Sequence, residues 1–224
     1  MSIQNHLIRV PLAAMHPTQI SVGEAEVALK RAEWAAMKRK QREKMLADHW
    51  FPAVHGPGKR YYIVDHHHLG LALLREKVEV AFVMVLDDLS ELAPDAFWRL
   101  MEFHRWAHPY DQAGRRRAYG DIPSHVGKLR DDPYRSLAGF VRAHGGYAKD
   151  ASPFSEFIWA DFFRPLIAPK SLKPTAAGTL PQETVQQAVA LARGPGARHL
   201  PGWTGVSLAN ALNVSPAADT KARG

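Results

Sequence analysis

The sequence predicts an α/β (α+β) fold, a small mixed sheet with flanking helices followed by a helical C-terminal part. Three observations carry this expectation. RYYIV (Arg60 to Val64) and VEVAFVMVL (Val78 to Leu86) are aromatic or β-branched runs of strand length. HHHLGLALLREK lies between them with Leu69, Ala72 and Leu73 at helical spacing. From Pro94 onward, helix start signals recur.

Taken in order, IRVPL (Ile8 to Leu12) reads as a short strand ended by Pro11, and HPTQ as a turn. Ser21 and Glu24 have the spacing of a capping box, in which each side chain satisfies a free amide of the first helical turn. The helical stretch that follows runs to about His49 and breaks near Trp34 to Met37. WFPAVHGPGKR holds Pro52, Gly56, Pro57 and Gly58 and reads as a loop. The run from Val78 to Leu86 is nearly continuously apolar, so it is expected to be central and covered on both faces. Strand, helix and strand together form a βαβ-like unit.

Pro94 opens a helix running to about Trp106, and AHPYDQAGRRRAYGDIP reads as a loop. Asp132 and Pro133 are an N-cap and first helical position, with Gly145 and Gly146 as the stop. Ser152 and Pro153 repeat the start signal for SPFSEFIWADFF, whose aromatic residues are read as core. PLIAPKSLKPTAAG is linker-like. Thr179 and Gln182 form a second capping box, and RGPG stops that last helix at Gly194. The expected division is a core over residues 1–90, a helical extension over 91–203 and a weakly ordered tail over 204–224.

Composition narrows the function classes. The chain has 224 residues, 46% of them hydrophobic, enough for a real core. It has no cysteine, which excludes disulfides, thiolate metal sites and cysteine nucleophiles. The opening MSIQNHLIRVPLAAMHP lacks the apolar run of a signal peptide, and no segment reaches the roughly 20 apolar residues that span a bilayer. A soluble, cytoplasmic protein with no membrane partner is expected. The net charge of +7 fits an anionic partner: a nucleotide, a phosphorylated small molecule or a nucleic acid. MKRKQREK (Met37 to Lys44) and GRRR (Gly114 to Arg117) concentrate that charge, either as binding patches or as solvated faces.

The strongest candidate for chemistry is VDHHHLG, where a strand ends at Val64 and a helix begins. Free amides and the helix dipole favour an anion at such an end. Asp65 is placed as the N-cap, and His66, His67 and His68 lie in the first turn. Consecutive helical residues point about 100° apart, so three histidines in a row make a poor metal site by themselves. Phosphate chemistry, structural capping and a metal site completed from elsewhere all stay open. Gly70 fits close approach of another segment, since glycine inside a helix costs about 1 kcal/mol relative to alanine.

The sequence resembles the ParB-like nuclease family, within the wider group of ParB N-terminal and sulfiredoxin-like domains. The carrying residues are RVPLAAMHPTQISVG (Arg9 to Gly23) and RYYIVDHHHLGLALL (Arg60 to Leu74). Downstream they are PYDQAGRRR (Pro109 to Arg117), DDPYRSLAG (Asp131 to Gly139), GYAKD (Gly146 to Asp150) and PFSEFIWADFFR (Pro153 to Arg164). The resemblance implies a ParB/sulfiredoxin-type sheet with a nucleotide phosphate bound at Asp65 to His68. Relatives in the wider group include CTP-hydrolysing DNA-segregation proteins, sulfiredoxins that use ATP, and kinases of the free-serine type. Two departures stand out. The arginine-rich box of ParB domains is replaced by D-H-H-H with leucine at position 69, and no helix-turn-helix segment follows.

The reading is nucleotide-dependent phosphotransfer or phosphodiester hydrolysis, with a non-catalytic nucleotide- or DNA-binding module as the alternative. Asp65, His66, His67 and His68 are the expected catalytic group, with Glu24 (or Glu26) as general base. Thr18, Gln19, Lys149 and Arg164 join the histidines in holding the phosphate or nucleotide. Mg²⁺ and ATP, ADP or CTP are the expected cofactors, and metal ligands stay unassigned.

Overall fold

A computed structural model describes residues 6–175 and 179–205. The expected tail over 204–224 lies almost wholly outside the described residues. Seven strands and seven α-helices are described, in an α+β arrangement. They are β1 (Ile8–Pro11), β2 (Met15–Pro17), β3 (Ser21–Val22), α1 (Glu24–Ala36), α2 (Arg39–Asp48), β4 (Phe51–Gly56), β5 (Arg60–Ile63), α3 (His67–Arg75), β6 (Val80–Asp88), α4 (Pro94–Phe103), β7 (Arg130–Asp131), α5 (Pro133–Ala143), α6 (Ser155–Phe163) and α7 (Gln182–Arg193).

Five strands form a mixed sheet in the order β1-β6-β4-β5-β2. The middle strand is β4, a segment whose sequence reads as a loop. Pro52 costs it one ladder hydrogen bond, since the proline N carries no hydrogen, but its carbonyl still accepts from the Val64 N–H at 2.9 Å. Pro57–Lys59, with Gly58 at φ +73°, makes the tight turn into antiparallel β5. β6 pairs parallel to β4 and antiparallel to β1. It is interior but not central, and its burial alternates instead of covering both faces. The βαβ expectation also changes, since β5 and β6 are separated by β4 and run in opposite directions. The expected HPTQ turn begins instead as β2, which pairs parallel to β5 through His16 and Tyr62.

One sheet face packs Val10, Phe51, Ala53, Ile63, Ala81 and Val83 beneath Val27 and Trp34 of α1 and Leu69, Leu71, Ala72 and Leu73 of α3. Full burial of each large side chain contributes about 1.5–3 kcal/mol. The other face buries Val54 and Tyr62 against Phe97 and Met101 of α4. Between Ala53 and Val54 the β4–β6 register jumps, so that Val85 and Asp87 are paired and Leu86 is the extra residue of a bulge.

The C-terminal helices share a third core, with Leu137, Val141, Trp159, Phe163 and Ala188 fully buried. Ile167 and Leu172 are buried in it as well, so PLIAPKSL is packed chain rather than linker. Parallel pairing of β3 with β7 ties residues 21–22 to residues 130–131. Asp132 caps α5 as expected, its Oδ1 accepting from the Tyr134 N–H at 3.0 Å. Neither expected capping box forms: Ser21 belongs to β3 with Gly23 as the N-cap of α1, and α7 begins after Pro181 with no side-chain cap. No described helix is long and apolar enough to cross a membrane.

Candidate functional site

The junction VDHHH opens onto a cleft of about 640 Å³. Val64 to Leu69 form one wall. The bulged Leu86, Arg105 and Trp106 contribute from the β6–α4 side. Arg135 and Arg142 of α5 and residues of the segment from Lys149 to Phe157 also line the cleft. Lys30 of α1 and Gln19 complete it. Its charged lining comprises five cations (Lys30, Arg105, Arg135, Arg142, Lys149) against three carboxylates (Asp65, Asp150, Glu156). Lys30, Arg105 and Lys149 make no ion pair among the described residues.

Asp65 does not cap α3. The N-cap is His66, at φ +64°, with no side-chain cap, and Asp65 Oδ1 instead accepts from the His66 N–H at 2.6 Å. The first-turn amides of α3 are thus left without a side-chain partner, which is the condition for anion binding at a helix end. A left-handed backbone at a non-glycine residue is uncommon. The described residues hold five outside glycine, and three of them (His66, Arg105 and Phe154) line this cleft.

The three histidines separate into two roles. His67 is buried, and its Nε2 accepts from the Thr18 backbone N–H at 3.1 Å. Burial pulls its pKa down to about 3, so it is neutral with the proton on Nδ1. His68 Nε2 accepts from the Gly23 N–H at 2.9 Å, and burial likewise holds its pKa well below the ordinary value. Both rings bolt the segment after β2 onto α3, and their Nε2 lone pairs are committed. Only His66 reaches solvent appreciably, with its side chain 35% exposed, and its pKa is lowered by burial against the opposing pull of Asp65.

Other expected site residues fare differently. Gln19 lines the cleft, while its side-chain N–H donates to the Ser21 carbonyl at 2.7 Å. Lys149 lines the cleft. Thr18 does not, because its N–H is taken by His67 and its hydroxyl donates to the Ile63 carbonyl at 2.9 Å. Glu24 is directed elsewhere, paired with Arg75 outside the cleft lining. Arg164 is also outside it, holding Asp132 through Nη2 at 2.6 Å, Asp161 through Nε at 2.8 Å and the Gln112 carbonyl through Nη1 at 2.6 Å. It anchors the N-cap of α5 through Asp132. Glu26 lies closer to the histidines, 3.7 Å from His68 Nε2 and 2.7 Å from Arg135 Nη1.

The basic runs are also partly committed. Arg116 pairs with Glu102 and Arg117 with Asp111, while Arg42 covers the Trp34 ring. Gly70 approaches Phe51 and Ile63, core neighbours and not a ligand surface. Sequence reasoning missed Lys30, Arg105 and Arg142 as cleft residues. Lys30 carried a faint signal, lying four residues after Glu26 and so on its face of α1.

A family described as "Putative ParB-like nuclease" matches residues 8–165. Among solved structures, the chain is similar to the crystal structure of protein Atu1540 from Agrobacterium tumefaciens. The two share 43% identity and a TM-score of 0.80, over 90% of this chain and 99% of that one. No curated protein matches.

Proposed function

Because the chain belongs to the ParB-like nuclease family, we propose that the cleft at the amino end of α3 binds a phosphate-bearing ligand, a nucleotide or a phosphodiester, and acts on its phosphate. The observation that carries this reading is the uncapped first turn of α3 opening into a cleft with a surplus of cations. The free amides would hold one phosphate, with the ammonium groups of Lys30 and Lys149 making the potential around it more positive and so stabilising its charge.

His66 is the proton carrier in this proposal. It is the histidine of the three with solvent access, and a depressed pKa leaves it neutral near pH 7, as a base must be. For hydrolysis it would take a proton from the attacking water as the P–O bond to the leaving group breaks. Among the described residues no group of three His, Asp or Glu side chains gathers as a metal centre. A Mg²⁺ ion accompanying the ligand would be held chiefly by its phosphates and water, with a lining carboxylate among Asp65, Asp150 and Glu156 as protein donor. Commitment of His67 and His68 to backbone amides favours a second reading, a nucleotide-binding module without turnover.

The test is a thermal-shift series with ATP, ADP, CTP and a short DNA, each with and without Mg²⁺, followed by turnover assays. The enzyme reading expects a raised melting temperature with at least one ligand, and turnover that falls about 10²-fold or more in His66→Ala. Binding without turnover selects the module. No shift with any phosphate-bearing ligand removes both.

A further inference from the structure

Three buried side-chain atoms among the described residues lack a hydrogen-bond partner, and two of them are Nε of Arg135 and Nε of Arg142. Unpaired buried donors are rare and need a physical reason. These two residues lie seven apart on α5, so they share a helix face, and both line the cleft. Arg135 is nine-tenths buried, with its guanidinium 5.5 Å from the centre of the Phe157 ring.

Glu156, in the first turn of α6, stands between the two guanidinium groups. Its Oε2 is 3.6 Å from Arg135 Nη2 and its Oε1 is 3.2 Å from Arg142 Nε, and neither contact has hydrogen-bond geometry. Arg135 spends Nη1 on Glu26 at 2.7 Å. Its other edge, Nε with Nη2, is the pair of parallel donors that fits one phosphate or carboxylate. One carboxylate thus balances two arginines without hydrogen-bonding to either, in the cleft that the first turn of α3 also lines.

We propose that this arginine pair is a second anion subsite, so that the cleft takes a small molecule bearing two linked phosphates, a nucleoside di- or triphosphate. The proposal rests on the reading that the α3 end holds a first phosphate. A cleft of about 640 Å³ has the size of a nucleotide-scale site. An arriving phosphate completes the unpaired donors and displaces Glu156, whose negative charge opposes it. Glu156 then acts as a gate on affinity, which a purely structural carboxylate would not.

The experiment is calorimetric titration of the full chain with AMP, ADP and ATP, using wild type, Arg142→Gln and Glu156→Gln. Melting temperatures of the free proteins verify that each variant folds. Wild type is expected to bind ADP or ATP at least about tenfold more tightly than AMP, as an added charge-assisted bidentate contact allows. Arg142→Gln should reduce that ratio below about threefold while AMP affinity stays within about twofold. Glu156→Gln should increase the ratio. AMP binding with no gain for the longer phosphates overturns the second subsite alone. A gain that survives Arg142→Gln, or one that Glu156→Gln leaves unchanged or lowers, does the same. Binding of none of the three overturns this subsite and the first-phosphate reading together.

Discussion

The backbone N–H of Thr18 donates to Nε2 of His67 across 3.1 Å, joining the segment after β2 to the first turn of α3. His68 repeats the arrangement one residue later, with the Gly23 N–H at 2.9 Å. Each acceptor serves an amide that has no water to turn to. Substituting either histidine by alanine leaves a buried donor unpaired and a cavity behind it. We expect His67→Ala and His68→Ala each to cost about 2–4 kcal/mol, and His66→Ala less than about 1 kcal/mol. Urea unfolding of the three variants checks this, and a His67→Ala protein as stable as wild type would refute the structural role.

Acid should destabilise the fold through the same residues. The folded pKa of His67 is lowered to about 3 and that of His68 lies well below its ordinary value, while unfolded histidine titrates near 6.5. His108, held down to about 4 by burial, adds to this. Between these folded and unfolded values the unfolded chain binds more protons, so stability is fully present above pH 6.5 and is lost as the pH falls below it. Each such histidine adds up to about 1.4 kcal/mol per pH unit. Denaturant midpoints measured from pH 7.5 to pH 5 should fall on the acid side, and a flat or rising profile would contradict the assignment.

Arg164 is a structural clamp on Asp132. The Asp132 carboxyl is buried, and burial raises its pKa although Arg164 opposes that shift. Removing the guanidinium strands this carboxylate, so Arg164→Ala should cost about 3 kcal/mol or more. Ligand affinity of the remaining folded protein should change less than about twofold. A large affinity loss at undiminished stability would instead return Arg164 to the binding site.

Gly139 makes room for Glu26. A Cβ there would lie 1.7 Å from Glu26 Oε1, the atom that receives Arg135 Nη1. Gly139→Ala should therefore cost about 1–3 kcal/mol and disturb the arginine wall of the cleft. Thermal denaturation reads the first effect. A variant with an unchanged melting temperature would show that Glu26 moves aside freely.

Local signals in the sequence carried much of the fold. The apolar period of α3, the Asp132-Pro133 start of α5 and the break between α1 and α2 all follow from side-chain spacing and capping chemistry, and the structure has them. The middle strand escaped notice because Pro52, Gly56 and Pro57 mark a loop, and only its pairing with β5 and β6 on either side makes it a strand. The candidate site divides along the same line. The VDHHH junction is legible because strand end and helix start are local. The split of its histidines into two bolts and one exposed ring depends on Thr18 and Gly23, which lie 49 and 45 residues away. The seven-residue spacing that puts Arg135 and Arg142 on one face of α5 is local, but their place in the cleft depends on α5 packing against α1 and α6, which no single segment announces.

The central claim is that the free amides at the start of α3 receive a phosphate. Amide chemical-shift mapping with ¹⁵N-labelled protein during titration with ADP tests it most directly. The account predicts that the largest perturbations fall on His66, His67, His68 and Leu69, with a second set from Lys149 to Phe157. Perturbations confined to the basic run from Lys38 to Lys44, or none at saturating ADP, would contradict it.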